Sequence, residues 1–232
     1  MTDPASGFGG WKTTFLAVLV GIAIGGGGML AANGYFIRSY LLEHPEVLPE
    51  AMERLRARET AQAVGQHRAA LERPFHGAWA GAAQPDVTLV EFFDYACGFC
   101  RASNPDVERL LREDPRLRVV WREYPVLGPS SEQAAIASLA AARAGRFRAF
   151  HDSVYAAGRP TEATVAAARQ RVGLGEVALT DEFRQEIERN YEMARAIGAT
   201  GTPTWVIGDQ VLQGAVGYEA LKSAVAAARA RS

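Results

Sequence analysis

The stretch VEFFDYACGFCRASNP, Val90 to Pro105, holds both cysteines of a 232-residue chain, Cys97 and Cys100. The run Val87 to Phe93 that leads into it is rich in β-branched and aromatic residues, which predicts a buried strand. Asp94-Tyr95-Ala96 makes a short exit. Asn104-Pro105 and the apolar positions Val107, Leu110 and Leu111 then predict a helix, with Pro105 as a potential kink. Cys97 falls at the start of that helix and Cys100 one turn in. Helix residues three apart have Cβ atoms about 5–6 Å apart. A disulfide needs roughly 3.5–4.5 Å, so the dithiol and the disulfide are both within reach of small backbone adjustments.

The same position activates one sulfur. Free N–H groups and the positive dipole end at a helix start favour an anion, and a cysteine there has its pKa lowered to about 3.5–7.5. Cys97 is the expected thiolate nucleophile, and Cys100, deeper, the residue that resolves a mixed disulfide. Two other uses of the pair stay open. A structural disulfide would close so short a loop that it constrains the unfolded chain little. A zinc site would want four ligands, and His44, His67, His76 and His151 lack the matching spacing. Copper(I) could use two thiolates alone, so an envelope copper-binding or scaffold protein is the rival reading.

Outside this stretch the sequence bounds the setting. With 25 Lys+Arg against 26 Asp+Glu, charge offers no case for a nucleic-acid partner. No charged residue lies between Lys12 and Arg38, and Phe15 to Ala32 is long and apolar enough for a membrane span, roughly 20 residues. Residues 1–12 read as a short tail and 13–37 as a transmembrane anchor or a cleaved signal, with Ala32-Asn33-Gly34 a passable cleavage site. Gly21 and Gly25 add a GxxxG spacing. Residues 38–73 read as a helical stalk broken near His44, with Pro45 or Pro49 opening its second helix. Ile37, Leu41, Leu48, Met52 and Leu55 share one helix face, which suits self-association.

Near the C-terminus, Gly201-Thr202-Pro203-Thr204-Trp205-Val206-Ile207 reads as a bend into a strand. Asp209-Gln210 turns, Val211 to Gly214 returns as a hairpin, and Tyr218 to Arg229 forms a last helix. EFFDYACGFC and TGTPTW together resemble the DsbA-like thiol–disulfide oxidoreductases of the thioredoxin superfamily, over roughly Phe75 to Ser232. IRSYLLEHPEVLPEAMERLRARE is similar to the N-terminal helices of the ScsC-like members, some of which oligomerise through them.

The resemblance implies an α/β thioredoxin fold over residues 74–232 with a helical insertion at about 129–197. Leu117 to Tyr124 supplies a strand before it. Helices at Glu132 to Ala144, Arg146 to Ala157, Thr161 to Val172 and Asp181 to Ala196 fill the insertion. The resemblance also implies a cis Thr202-Pro203 bond lying against Cys97, and a buried Glu91 that assists proton movement; a strand glutamate facing solvent is the plainer alternative for Glu91. Gly98 and Phe99 replace the Pro-His of the strongly oxidising members, so no side-chain charge sits between the cysteines. His151 could be imagined as a base, but its helical surroundings favour packing or surface exposure. The expected activity is disulfide exchange with cysteine-containing exported proteins of the bacterial cell envelope. It needs no metal or organic cofactor, and a membrane redox partner resets the pair. The chain would be anchored at the inner membrane with its catalytic domain in the periplasm, or released there after signal cleavage.

Overall fold

The computed structural model describes Phe15 and residues 36–231. The expected anchor or signal at 13–37 lies outside the described residues except for Phe15, Phe36 and Ile37. Among the described residues no helix is long and apolar enough to cross a membrane. The chain divides into two compact units between Arg56 and Ala57, rather than at the 73/74 boundary drawn from sequence.

In the first unit, helix α1 covers residues 36–43 and helix α2 begins at Val47. The break between them holds Pro45, and His44 N–H donates to Tyr40 O at 2.8 Å. Proline lacks the N–H that would continue the ladder. Ile37, Leu48, Met52 and Leu55 are exposed, while Leu41 is half-buried.

The second unit takes the C-terminal part of α2, Val47–Leu71, and then β1 Trp79–Gly81, β2 Val87–Phe93, α3 Gly98–Glu113 and β3 Leu117–Glu123. Four helices follow before the sheet resumes: α4 Pro129–Arg143, α5 Phe147–Ala157, α6 Glu162–Arg171 and α7 Asp181–Ala196. The hairpin β4 Thr204–Ile207 and β5 Gln210–Gln213 and the helix α8 Tyr218–Arg229 close the chain. The sheet runs β1-β3-β2-β4-β5, with β2 parallel to β3 and β4 antiparallel to β2. This is the expected α/β thioredoxin fold with helices inserted between β3 and β4. β1 has no sequence signal, because three residues show no periodicity.

Every residue of β2 is buried, as a central strand covered on both faces requires. Leu89 and Phe93 face one layer, with Val107 and Leu110 of α3, Leu221 and Val225 of α8, and Phe147, Phe150 and Val154 of α5. Val90 and Phe92 face the other, with Val64 and Leu71 of α2 and Met193 and Ala194 of α7. Arg122 of β3, 4 % exposed, locks this second layer. Its guanidinium donates to the carbonyls of Ala70, Leu71 and Arg73 at the end of α2, to Asn190 Oδ1 at 3.2 Å and to Glu186 Oε1 at 2.9 Å. The last carbonyls of a helix lack intrahelical partners, and a cation is favoured there.

Candidate active site

β2 ends in the middle of the sheet and delivers the chain into the tight turn Asp94 to Cys97, closed by Cys97 N–H donating to Asp94 O at 3.0 Å. Cys97 then caps α3, with an extended backbone at φ −78 and ψ 117. Its Sγ accepts from Cys100 N–H at 3.5 Å. Both cysteines are free thiols; Cys97 is 5 % exposed and Cys100 fully buried. Gly98 and Phe99 between them are exposed.

The two sulfurs are driven in opposite directions. The Cys97 pKa is lowered to about 5, first by a hydrogen bond from the Cys100 side chain, then by Thr202 and the amides of Cys100 and Phe99; burial opposes them. Burial pushes the Cys100 thiol far up, and its bond to Cys97 and the charge of Glu91 push the same way. A proton shared by the pair therefore stays on Cys100, and Cys97 carries the negative charge at neutral pH.

The segment Gly201 to Thr204 meets this sulfur at the start of the neighbouring strand β4, where Thr204 pairs with Phe92. The Thr202-Pro203 bond is cis, and in its protonated form the Cys97 thiol donates to Thr202 O at 3.2 Å. Pro203 O accepts from Gly214 N–H at 2.8 Å, and Trp205 Nε1 donates to Gly214 O at 2.9 Å, so the hairpin holds the segment in place. Glu91, 1 % exposed, points into the protein rather than to solvent. Burial raises its pKa to about 8; the Trp121 indole and Arg148 pull it down, and Cys97 adds to the rise. Neither carboxyl oxygen has a hydrogen-bond partner at normal geometry.

His151 is buried in a cluster with Phe93, Tyr95, Trp121, Phe147 and Tyr155. Burial lowers its pKa. It packs, as its helical surroundings suggested.

Other residues of the site carry no sequence signal. Tyr155 of α5 donates to Asp94 O at 3.1 Å, and Tyr95 OH pairs with Ser138 Oγ of α4 at 2.8 Å. Both tie the cysteine turn to the inserted helices. Glu123, at the end of β3, is buried with its pKa raised well above the carboxylate range by desolvation. Among the described residues no three His, Cys, Asp or Glu side chains cluster as a metal site.

Comparison with known proteins agrees with this fold. Residues 88–226 match the DSBA-like thioredoxin domain, and residues 34–62 match the copper resistance protein ScsC N-terminal domain. A linker-deletion mutant of Proteus mirabilis ScsC superposes with a TM-score of 0.73 at 25% identity, covering 99% of this chain and 100% of its own. A periplasmic thioredoxin-like protein from Salmonella enterica serovar Typhimurium superposes with a TM-score of 0.66 at 31% identity, covering 70% of this chain and 95% of its own. Among curated proteins, the Na(+)/H(+) antiporter NhaA 3 of Salinispora tropica is 31% identical over 64% of this chain and 24% of its own length. The chain thus spans about a quarter of the length of the curated relatives it matches. The family match runs from the strand that delivers Cys97, through the inserted helices, to the helix that closes the sheet, and so the chain belongs to the DSBA-like thioredoxin domain family.

Proposed function

We propose that this protein exchanges disulfides with cysteine-containing exported proteins in the bacterial cell envelope, using Cys97 and Cys100 as its redox pair. The observation that carries the reading is the split between the two thiols. One is lowered to about 5 at a helix start, and the other is held protonated one turn deeper.

In the oxidising direction a substrate thiolate attacks Cys97 Sγ of the disulfide. The S–S bond breaks toward Cys100, whose sulfur takes a proton from the Glu91 carboxyl. A second substrate thiolate then attacks the substrate sulfur of the mixed disulfide and expels Cys97 as a thiolate, leaving an oxidised substrate and a reduced protein. In the reducing direction the Cys97 thiolate attacks a substrate disulfide. Glu91, as carboxylate, takes the Cys100 proton, and Cys100 attacks Cys97 Sγ to release the substrate dithiol. Thr202 and Pro203 line the attacked sulfur, and the Thr202 backbone offers pairing groups to an extended substrate. Gly98 and Phe99 contribute amides and an apolar side chain but no charge.

A membrane redox partner returns the pair to its working state. The segment 13–37 takes the domain across the inner membrane, as an anchor or a cleaved signal. The exposed stripe on α1 and α2 joins copies of the chain, and several active sites on one assembly favour repeated exchange on one substrate.

Insulin reduction and refolding of scrambled ribonuclease test the activity directly. Cys97→Ala is expected to abolish both, and Cys100→Ala to accumulate mixed disulfides. Trapping through Cys100 in the Cys97→Ala protein would reverse the roles, and inactivity of the unaltered protein in both assays would overturn the reading.

A further inference from the structure

Asp94 has no part in the steps above, yet it is 1 % exposed, and both its carboxylate oxygens and its carbonyl accept hydrogen bonds. Its Oδ1 accepts from Ala96 N–H at 2.7 Å and its Oδ2 from Leu127 N–H at 2.9 Å. Its carbonyl accepts from Cys97 N–H at 3.0 Å and from Tyr155 OH at 3.1 Å. One residue thus closes the turn twice, once through its side chain and once through its main chain, and straps that turn to the segment after β3. We propose that Asp94 is the positioning residue of the nucleophile: its carboxylate holds the turn that aims Cys97 Sγ at the amides of the first turn of α3. The inference rests on Cys97 being the attacking sulfur.

The physical reason is the geometry of the cap. The amides at the start of α3 stabilise the Cys97 thiolate beside the Cys100 side chain only while the sulfur lies over them, and that placement follows from the extended φ and ψ at which the turn releases the chain. Cys100, Thr202 and Glu91 are the other groups that act on the sulfur. Without the carboxylate, the Ala96 and Leu127 N–H groups lose their acceptor and the turn keeps only the two bonds to the Asp94 carbonyl.

A carboxylate could also act on the sulfur simply as a negative charge, and the two roles have opposite signs. Removing a nearby negative charge lowers a thiol pKa, while misplacing the sulfur raises it. The pH dependence of iodoacetamide alkylation should be measured on the reduced full-length protein and on Asp94→Ala and Asp94→Asn, with thermal unfolding of each. The Cys97 pKa is expected to rise by about one unit or more in Asp94→Ala. It should rise less in Asp94→Asn, whose amide oxygen still accepts from one of the two N–H groups. A fall in either variant, or an unchanged pKa beside a lower Tm, overturns the inference. If Asp94→Ala does not fold, the sign of the change in Asp94→Asn decides. Failure of the exchange activity itself would show in the unaltered protein, whatever the variants do.

Discussion

The depressed pKa of Cys97 makes a prediction about redox potential that can be worked through in numbers. The reduced pair at neutral pH is one thiolate and one thiol, because Cys97 ionises at about 5 and burial keeps Cys100 protonated. Against an ordinary thiol at 9.0, ionisation favours the reduced folded form about 100-fold at pH 7, or ~2.7 kcal/mol. The disulfide form gains nothing, so the potential should lie about 60 mV above that of an unperturbed pair. The sign follows from the direction of the shift. This stabilisation of the reduced form is fully present above the unfolded pKa and fades as pH falls through about 5. Reduction therefore takes up two protons below that pH and one above it. The slope of potential against pH should change from about 59 to about 30 mV per unit near the Cys97 pKa. Equilibration with glutathione buffers between about pH 4 and pH 8, read by tryptophan fluorescence or gel shift, measures it. A single slope of about 59 mV per unit across that range would refute the thiolate assignment.

Glu91→Gln should change stability in a pH-dependent way. The wild-type carboxyl has its pKa raised from 4.5 to about 8 by burial, so it costs the folded state progressively more as pH rises through that window. The variant should gain up to ~5 kcal/mol relative to wild type between its two ends in urea unfolding, and a difference that does not move with pH would exclude a buried carboxyl. Arg122→Ala should cost about 3 kcal/mol by urea unfolding, because the carbonyls at the end of α2 lose their donor and Glu186 keeps only the half-exposed Arg189 as its cation. A loss below about 1 kcal/mol would mean that the guanidinium is not what holds the end of α2. Replacing Leu48, Met52 and Leu55 together by serine should lower the mass measured by light scattering, and an unchanged monomer mass for both proteins would remove the proposed role of the stripe.

Local chemistry was legible in the sequence. Val87 to Phe93 reads as a buried strand because every side chain is apolar or aromatic except Thr88 and Glu91, and β2 has those bounds. α7 and α8 also have the bounds read from sequence. The first helical turn at Cys97 follows from Asn104-Pro105 and the apolar spacing beyond it. Pairings across long separations were not legible. Arg122 reaches carbonyls some fifty positions earlier and a carboxylate some sixty later, and in sequence it is one arginine inside a strand. The second oxygen of Asp94 finds Leu127 thirty-three positions on. Glu91 alternates with apolar neighbours, so only the helices that cover its face of the sheet, α5 of the insertion among them, decide that it is buried.

Both outer strands of the sheet are short. β1 has three residues and β5 four, while the inner β2 and β3 have seven each. Beside β5 the Gln213 side chain is occupied by the preceding loop, accepting from Thr200 N–H and donating to Gly198 O at 3.0 Å each. A free strand edge is a template on which any unfolded chain can add a strand and seed an aggregate. Under the proposed activity, unfolded chains are what this protein meets continually, at high local concentration, with a reactive sulfur holding them close. Short edges let it engage them through one bond that chemistry can release, and leave little length for the backbone pairing that chemistry cannot.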